Sequence, residues 1–247
     1  MDYIPNEEMI FSQKKDKFPY ISINDFVSSL LLNPQLTMLW GDVGTGKTTI
    51  ALQLILQILE KTDQKCFYLH TKQSPIKQLI KRIIPQWDKF KSQVLFWQVN
   101  TFKEQLDVII KWQLQIEQLE RFFKHPKVGF IIIDEIASQY LLELGTDKKN
   151  EHINQEMTLI LATLTKICRE KEIPVLLLNN FTKRKQDDET LVAMPYGGKI
   201  ISYWTDKEIK IERTPQVSRM KFSLTKNNSI SILPSTWTYL LGDRGFS

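Results

Sequence analysis

Apolar runs and helical stripes alternate along most of this chain. "LTMLW" (36–40) reads as a buried strand. "TTIALQLILQILEK" (48–61) reads as a helix that is apolar nearly all round, and such a helix must be covered on more than one side. "KCFYLH" (65–70) and "VLFWQV" (94–99) are further short strands. Between them "SPIKQLIKRII" (74–84) predicts a helix with Ser74 as N-cap and Pro75 at its first position. "TFKEQLDVIIKWQLQIEQLERFFK" (101–124) has helical spacing, and "VGFIIID" (128–134) has the β-branched richness of a strand buried on both faces. A helix over 151–173 and the strand "PVLLLNN" (174–180) follow.

From there the texture changes. "KEIKIER" (207–213), "RMKFSLTK" (219–226) and "SISIL" (229–233) alternate apolar with polar, the mark of antiparallel strands with one wet face. The pattern predicts an α/β fold: a mostly parallel twisted sheet flanked by helices, with antiparallel strands at its C-terminal end. The first residues are polar and aperiodic, so 1–21 is expected to form an arm and 22–247 one domain.

Composition supports this without altering it. Of 247 residues, 42% are hydrophobic and 25% charged, enough for a sizeable core and against general disorder. Two cysteines, Cys66 and Cys168, exclude a disulfide framework or a cysteine-rich zinc site and are expected as buried thiols. His70, His125 and His152 are too scattered to suggest a metal centre. "MDYIPNEEMIF" begins acidic, and the apolar region 26–40 is broken by Ser28, Ser29, Asn33, Pro34 and Gln35. Neither a signal peptide nor a membrane span is read there, and a soluble cytoplasmic protein is expected.

Charge adds one detail. The net charge is +5, and between Lys61 and Lys91 eight basic residues face only Asp63 and Asp88. Such a stretch suits an acidic partner such as nucleic acid, or simply a solvated helix face.

The strongest chemical signal is "GDVGTGKTT", which fits G-x-x-x-x-G-K-[ST] between a predicted strand and a predicted helix. Gly41, Asp42, Val43, Gly44, Thr45 and Gly46 would fold into a nest of inward-pointing N–H groups for phosphate oxygens, continued by Thr49 on the helix. Lys47 would reach the β- and γ-phosphates, and the Thr48 hydroxyl would coordinate Mg²⁺. Downstream, Asp134 ends the strand "FIIID", where a Walker B carboxylate would hold the magnesium shell. Glu135 beside it either orients an attacking water or is a solvated or helix-capping residue.

In order and spacing these segments resemble the RecA/RadA recombinase superfamily, and within it the core-only archaeal RadB paralogues. "SINDFVSSLLL" occupies the lead-in to the phosphate loop, without the glycine cluster expected there. "IIIDEIASQYLLELG" resembles the Walker B strand and its sequel, and "LTKICREKEIPVLLLNNF" the helix and strand before the second DNA-binding loop. "MPYGGKIISYWTDKEIKIER" and "LGDRGFS" are similar to the closing segments of the RadB group. The resemblance implies a RecA-like P-loop ATPase core that binds ATP and Mg²⁺.

The departures bear on turnover. Where active members carry an acidic D-T-E-G-like run, this chain has "HTKQ": His70 stands for the aspartate and Lys72 for the catalytic glutamate. A lysine, with an ordinary pKa of about 10.4, is no general base at neutral pH. Lys77 stands for the arginine placed against adenine and stacks more weakly. Asn180 stands for the glutamine that senses γ-phosphate, one methylene shorter. Either the chain binds ATP with weak or absent hydrolysis, or Glu135 serves as a substitute base.

The resemblance also implies partners. The second DNA-binding loop corresponds to 181–196, where Lys183, Arg184 and Lys185 could meet phosphates of single-stranded DNA, with Asp187, Asp188 and Glu189 opposing them. DNA affinity is then expected to be modest and salt-sensitive. The first loop corresponds to "ELGTDKKNEH" (143–152). Phe18 in the arm is a candidate for docking on a neighbouring subunit, and Tyr203 and Trp204 are expected in the core. The implied role is an accessory of homologous recombination and DNA repair that assists a RadA-type recombinase or related paralogue subunits. The rival readings are a catalytically silent ATP-bound scaffold and a regulatory RecA-like ATPase acting on a protein partner.

Overall fold

Six consecutive buried residues make β1 (Leu36–Gly41), and side chains bury on both of its faces because the sheet is covered on both. The computed structural model describes residues 22–31, 33–71, 76–122, 128–145, 147–185, 191–228 and 233–247, with side chains at 122, 147–149 and 184–185 excepted. The arm, Lys72 to Pro75, His125 and residues 229–232 of "SISIL" lie outside the described residues. So do Asp187, Asp188 and Glu189.

The chain enters through α1 (Ile23–Ser29), whose Ser22 cap accepts the Asp25 N–H at 3.1 Å. After β1 come α2 (Lys47–Lys61), β2 (Lys65–His70), α3 (Ile76–Ile83), α4 (Trp87–Phe90) and β3 (Val94–Gln98). Next are α5 (Phe102–Phe122), β4 (Val128–Asp134), α6 (Ser138–Glu143), α7 (Asp147–Glu170) and β5 (Val175–Asn179). The hairpin β6 (Phe181–Lys185) and β7 (Leu191–Pro195) precedes α8 (Gly198–Trp204). The chain closes with β8 (Lys207–Arg213), β9 (Arg219–Asn227), β10 (Thr236–Gly242) and β11 (Gly245–Phe246).

The main sheet has the order β11-β10-β9-β8-β1-β5-β4-β2-β3. The six strands from β8 to β3 pair in parallel; β8 to β11 pair antiparallel, as the change of texture predicts. One core packs α1, α2, α3 and α4 against one face, around Leu39, Ile55, Tyr68 and Ile132. The other packs α5, α6, α7 and α8 around Met38, Phe67, Ile131 and Trp112. Alternation along each strand divides its side chains between the two. Trp112 is fully buried, with Phe67 and Trp97 edge-on or tilted at 5.4 and 5.1 Å. Cys66 and Cys168 are both buried, and desolvation pushes each thiol up to about 12, so neither is a nucleophile at neutral pH.

This order positions the site. β5 lies between β1 and β4, and β2 lies beyond β4, so the segments leaving these four parallel strands emerge side by side at their C-terminal ends. Four stretches far apart in sequence thereby meet: the loop after Gly41, Asp134, Asn180 and Thr71. No helix among the described residues is long and apolar enough to cross a membrane.

Candidate functional site

The loop from Gly41 to Thr48 is built on two close approaches that only glycine permits. A side chain at Gly41 would place its Cβ 2.1 Å from the Ile211 carbonyl oxygen of the neighbouring strand. Gly46 sits at φ +88° as the N-cap of α2, and a Cβ there would lie 2.5 Å from the Phe246 ring. Phe246 is held in place by Gln53 of α2, which donates to its carbonyl at 3.0 Å and accepts its N–H at 3.0 Å. The C-terminal strand therefore backs the start of the helix.

Inside the loop the buried Lys47 ammonium donates to the carbonyls of Gly41 at 2.9 Å and Asp42 at 2.7 Å. Thr45 Oγ1 donates to the Asp42 carbonyl at 2.9 Å. On the outer side Arg213, from the end of β8, donates to Asp42 Oδ2 at 2.8 Å and to the Val43 carbonyl. The lysine is thus aimed into its own cradle, and the cradle is clamped from the adjacent strand.

The acidic centre is equally tied. Asp134 has no solvent exposure, and its Oδ2 accepts from Thr48 Oγ1 at 2.8 Å and from the Tyr68 hydroxyl at 2.8 Å. A carboxylate buried this deeply needs such donors. Burial raises the Tyr68 pKa well above its ordinary value, helped by the neighbouring charges of Asp134 and Glu135, so the phenol stays protonated and donating. His70 Nδ1 stands 3.9 Å from the same oxygen. Glu135 is 4% exposed, which rules out its reading as a solvated residue. Its Oε2 accepts from Asn180 Nδ2 at 2.8 Å, and its N–H donates to Thr71 Oγ1 at 2.9 Å. The Asp134–Glu135 peptide is cis. Asn179, next to Asn180, is fully buried and donates to the Tyr196 carbonyl at 2.8 Å, leaving Asn180 as the asparagine that joins the centre.

Above the loop opens a cavity of about 650 Å³. Gly44, Gly46, Lys47, Thr48 and Thr49 line it on one side, and Leu79 and Arg82 of α3 on another. Ser218, Leu241 and Asp243 complete it. The residues fit a nucleotide with its metal: an anion nest at a helix N-terminus, a lysine within it, and a hydroxyl–carboxylate pair beside it. Lys77 is not among the residues lining this cavity. It lines a second cavity with Ile76, Ile80 and Lys81, whereas Leu79 and Arg82 project from the other side of α3. Arg82 is therefore the basic side chain that α3 turns toward the phosphate loop, whereas Lys77 faces the second cavity.

The remaining sequence expectations fare unevenly. The predicted loop 181–196 contains the antiparallel hairpin β6–β7, in which Lys183 pairs with Ala193 and is exposed; Arg184 and Lys185 lie on the same strand. The predicted loop 143–152 is shortened by α7, which starts at Asp147. Tyr203 is not in the core but 80% exposed, with Trp204 edge-on at 5.7 Å. An amphipathic helix needs a wet face, and α8 puts Tyr203 on it while Ile201 is buried. Tyr68, Arg213 and Arg82 escaped sequence reasoning. A signal for Tyr68 existed, since alternation along "KCFYLH" places Cys66, Tyr68 and His70 on one face.

A parallel sheet carrying a phosphate loop on one strand and a buried carboxylate on another defines a P-loop nucleotide-binding protein. Residues 10–186 match the AAA domain family, and the chain belongs to it. It is a RadB-like protein of the RecA/RadA superfamily. It is similar to the "DNA repair and recombination protein RadB" of Methanococcus maripaludis, 29% identical over 188 residues that cover 75% of this chain and 79% of the relative. It is also similar to the protein of the same name from Archaeoglobus fulgidus, 28% identical over 210 residues, or 85% and 87% of the two chains. A third, from Methanobrevibacter smithii, is 26% identical over 195 residues, 78% and 80% of the two chains.

Proposed function

We propose that this chain binds ATP with Mg²⁺ and acts in DNA repair and recombination as a RadB-like accessory. In that role it contacts single-stranded DNA through the β6–β7 hairpin and assists a RadA-type recombinase or related subunits. The observation that carries the nucleotide reading is the 2.8 Å bond from Thr48 to Asp134 beside the lysine-filled loop. Thr48 and Asp134 would hold Mg²⁺, which supplies charge neutralisation at the phosphate oxygens. Lys47, now on two carbonyls, exchanges them for phosphate oxygens, and Arg82 faces the nucleotide from α3.

Turnover is slow or absent in this reading. Lys72 occupies the position of the family's glutamate, and Glu135, the remaining carboxylate beside Asp134, is engaged by Asn180. Any residual hydrolysis runs through Glu135 with Asn180 orienting it. Single-turnover hydrolysis of ATP by the wild type and Glu135→Gln tests this. Loss of residual activity supports Glu135 as base, and unchanged activity removes it. Anisotropy of labelled single-stranded DNA at two salt concentrations, with and without Mg-ATP, tests the rest. No salt-dependent binding in either condition would sink the role as a direct DNA binder.

A further inference from the structure

The second cavity, of about 270 Å³, is separate from the phosphate loop and the hairpin. It opens between α3, α4 and the strands β2 and β3 at the sheet edge, and it borders the acidic centre through His70, whose Nδ1 stands 3.9 Å from Asp134 Oδ2. Its walls are mostly apolar: Ile76 and Ile80 of α3, Trp87 of α4, and Phe96 and Trp97 of β3, with His70 and Gln98 at the strand ends. Trp87 and Phe96 meet edge-on at 5.7 Å, which fixes two of those walls. Lys77 and Lys81 stand at the rim, both exposed.

The basic rim lacks internal compensation. Among the described residues no carboxylate pairs with Lys77, Lys81 or Arg82. Asp88, the one acidic residue of α3 and α4, pairs with Lys91 at 3.2 Å. An apolar pocket ringed by uncompensated lysines is complementary to an apolar anchor flanked by negative charge.

We propose that this cavity docks an acidic peptide segment of a protein partner, with one bulky apolar side chain seated between Trp87, Phe96 and Ile80. A nucleobase is the poorer occupant. Its polar edge would face mostly hydrocarbon, with His70 and Gln98 as the polar side chains of the lining besides the rim lysines, and each unmatched polar group costs about 1–3 kcal/mol. A phenylalanine or leucine side chain has no such groups, and its burial contributes about 1.5–3 kcal/mol. The lysines then meet the carboxylates on either side of the anchor, giving a salt-sensitive association rate. This inference is independent of the nucleotide and DNA readings.

The test uses the full chain carrying 5-fluorotryptophan and a labelled octapeptide of glutamates and aspartates around one central phenylalanine. Saturable anisotropy is expected, with the fluorine resonances of Trp87 and Trp97 moving among the six tryptophans. Replacing the phenylalanine by alanine, or charge reversal by Lys77→Glu with Lys81→Glu, is expected to weaken binding by about 10-fold or more, roughly the 1.4 kcal/mol of one such factor. Both lysines are exposed, so the double variant should fold, and an unchanged melting temperature checks it. ATP affinity should stay within about twofold in that variant, which separates this result from the nucleotide site. Equal binding of the alanine peptide, or resonances of Trp87 and Trp97 that stay still, overturns the proposal. Preference of the same two tryptophans for oligothymidine over the peptide also overturns it and assigns the cavity to nucleic acid.

Discussion

The phosphate loop and the β6–β7 hairpin both leave the C-terminal ends of parallel strands, yet they are built on opposite principles. In the first, the functional side chains are tied to one another and to the backbone: Lys47 on two carbonyls, Thr48 and Tyr68 on Asp134, Asn180 on Glu135. In the second, a two-stranded ribbon packs on the core through Phe181 and Ala193 and carries Lys183 exposed on its main-chain ladder. A buried centre of this kind holds its geometry before any ligand arrives. A two-stranded ribbon gains little stability from its own ladder, so its exposed side chains are the less fixed of the two groups.

That contrast can be broken by measurement, and the largest effect belongs to Lys47. Lys47→Ala removes two charge-assisted hydrogen bonds and the loop's cation, and should weaken binding of a fluorescent ATP analogue by about 100-fold. Lys183→Glu, in the same titration, should change it by less than about twofold. Comparable losses in both variants would erase the distinction.

Tyr68→Phe comes next. It removes a hydrogen bond to a buried carboxylate and should cost about 2 kcal/mol in urea unfolding at pH 7. The raised Tyr68 pKa gives the pH dependence. Below about pH 10 both folded and unfolded chains keep the proton. Above it the unfolded chain releases the proton while the folded chain retains it, so this part of the stability is lost as pH rises. The gap between wild type and Tyr68→Phe should therefore narrow above pH 10. A gap that widened would contradict the burial.

Asp134→Asn should weaken ATP binding by about 10-fold when Mg²⁺ is present and much less in excess chelator. Equal loss in both conditions would remove Asp134 from metal binding. The smallest effect is expected at the hairpin. Lys183→Glu should lower affinity for single-stranded DNA about threefold and reduce the salt slope by about one. No change in slope would place the DNA elsewhere.

Legibility followed the same division. β1, α2, β4 and β5 were plain in the sequence because unbroken apolar runs and one glycine-rich turn encode them locally. Asp134 and Lys47 came with those elements. The hairpin is not legible because "FTKRK" carries three consecutive charges, so neither of its alternating faces reads as buried. The start of α7 was missed for a related reason: "DKKNEH" gives the first turns no apolar stripe. Arg82 was not legible because the resemblance points to Lys77, and only the helix phase of α3 tells which side faces the phosphate loop. Arg213 is 171 residues from Asp42 in the chain, and no local pattern can announce that clamp. Tyr203 was placed in the core by its residue type, which does not determine the face of a helix.

The ring of Phe246 against Gly46, tied through Gln53, has a consequence in the order of synthesis. Within this sequence the loop is made before its backing strand, since Phe246 follows Gln53 by 193 residues. Until β11 is made that wall of the loop has no packing partner, so the contact between Gly46 and Phe246 forms only after most of the sheet has been synthesised.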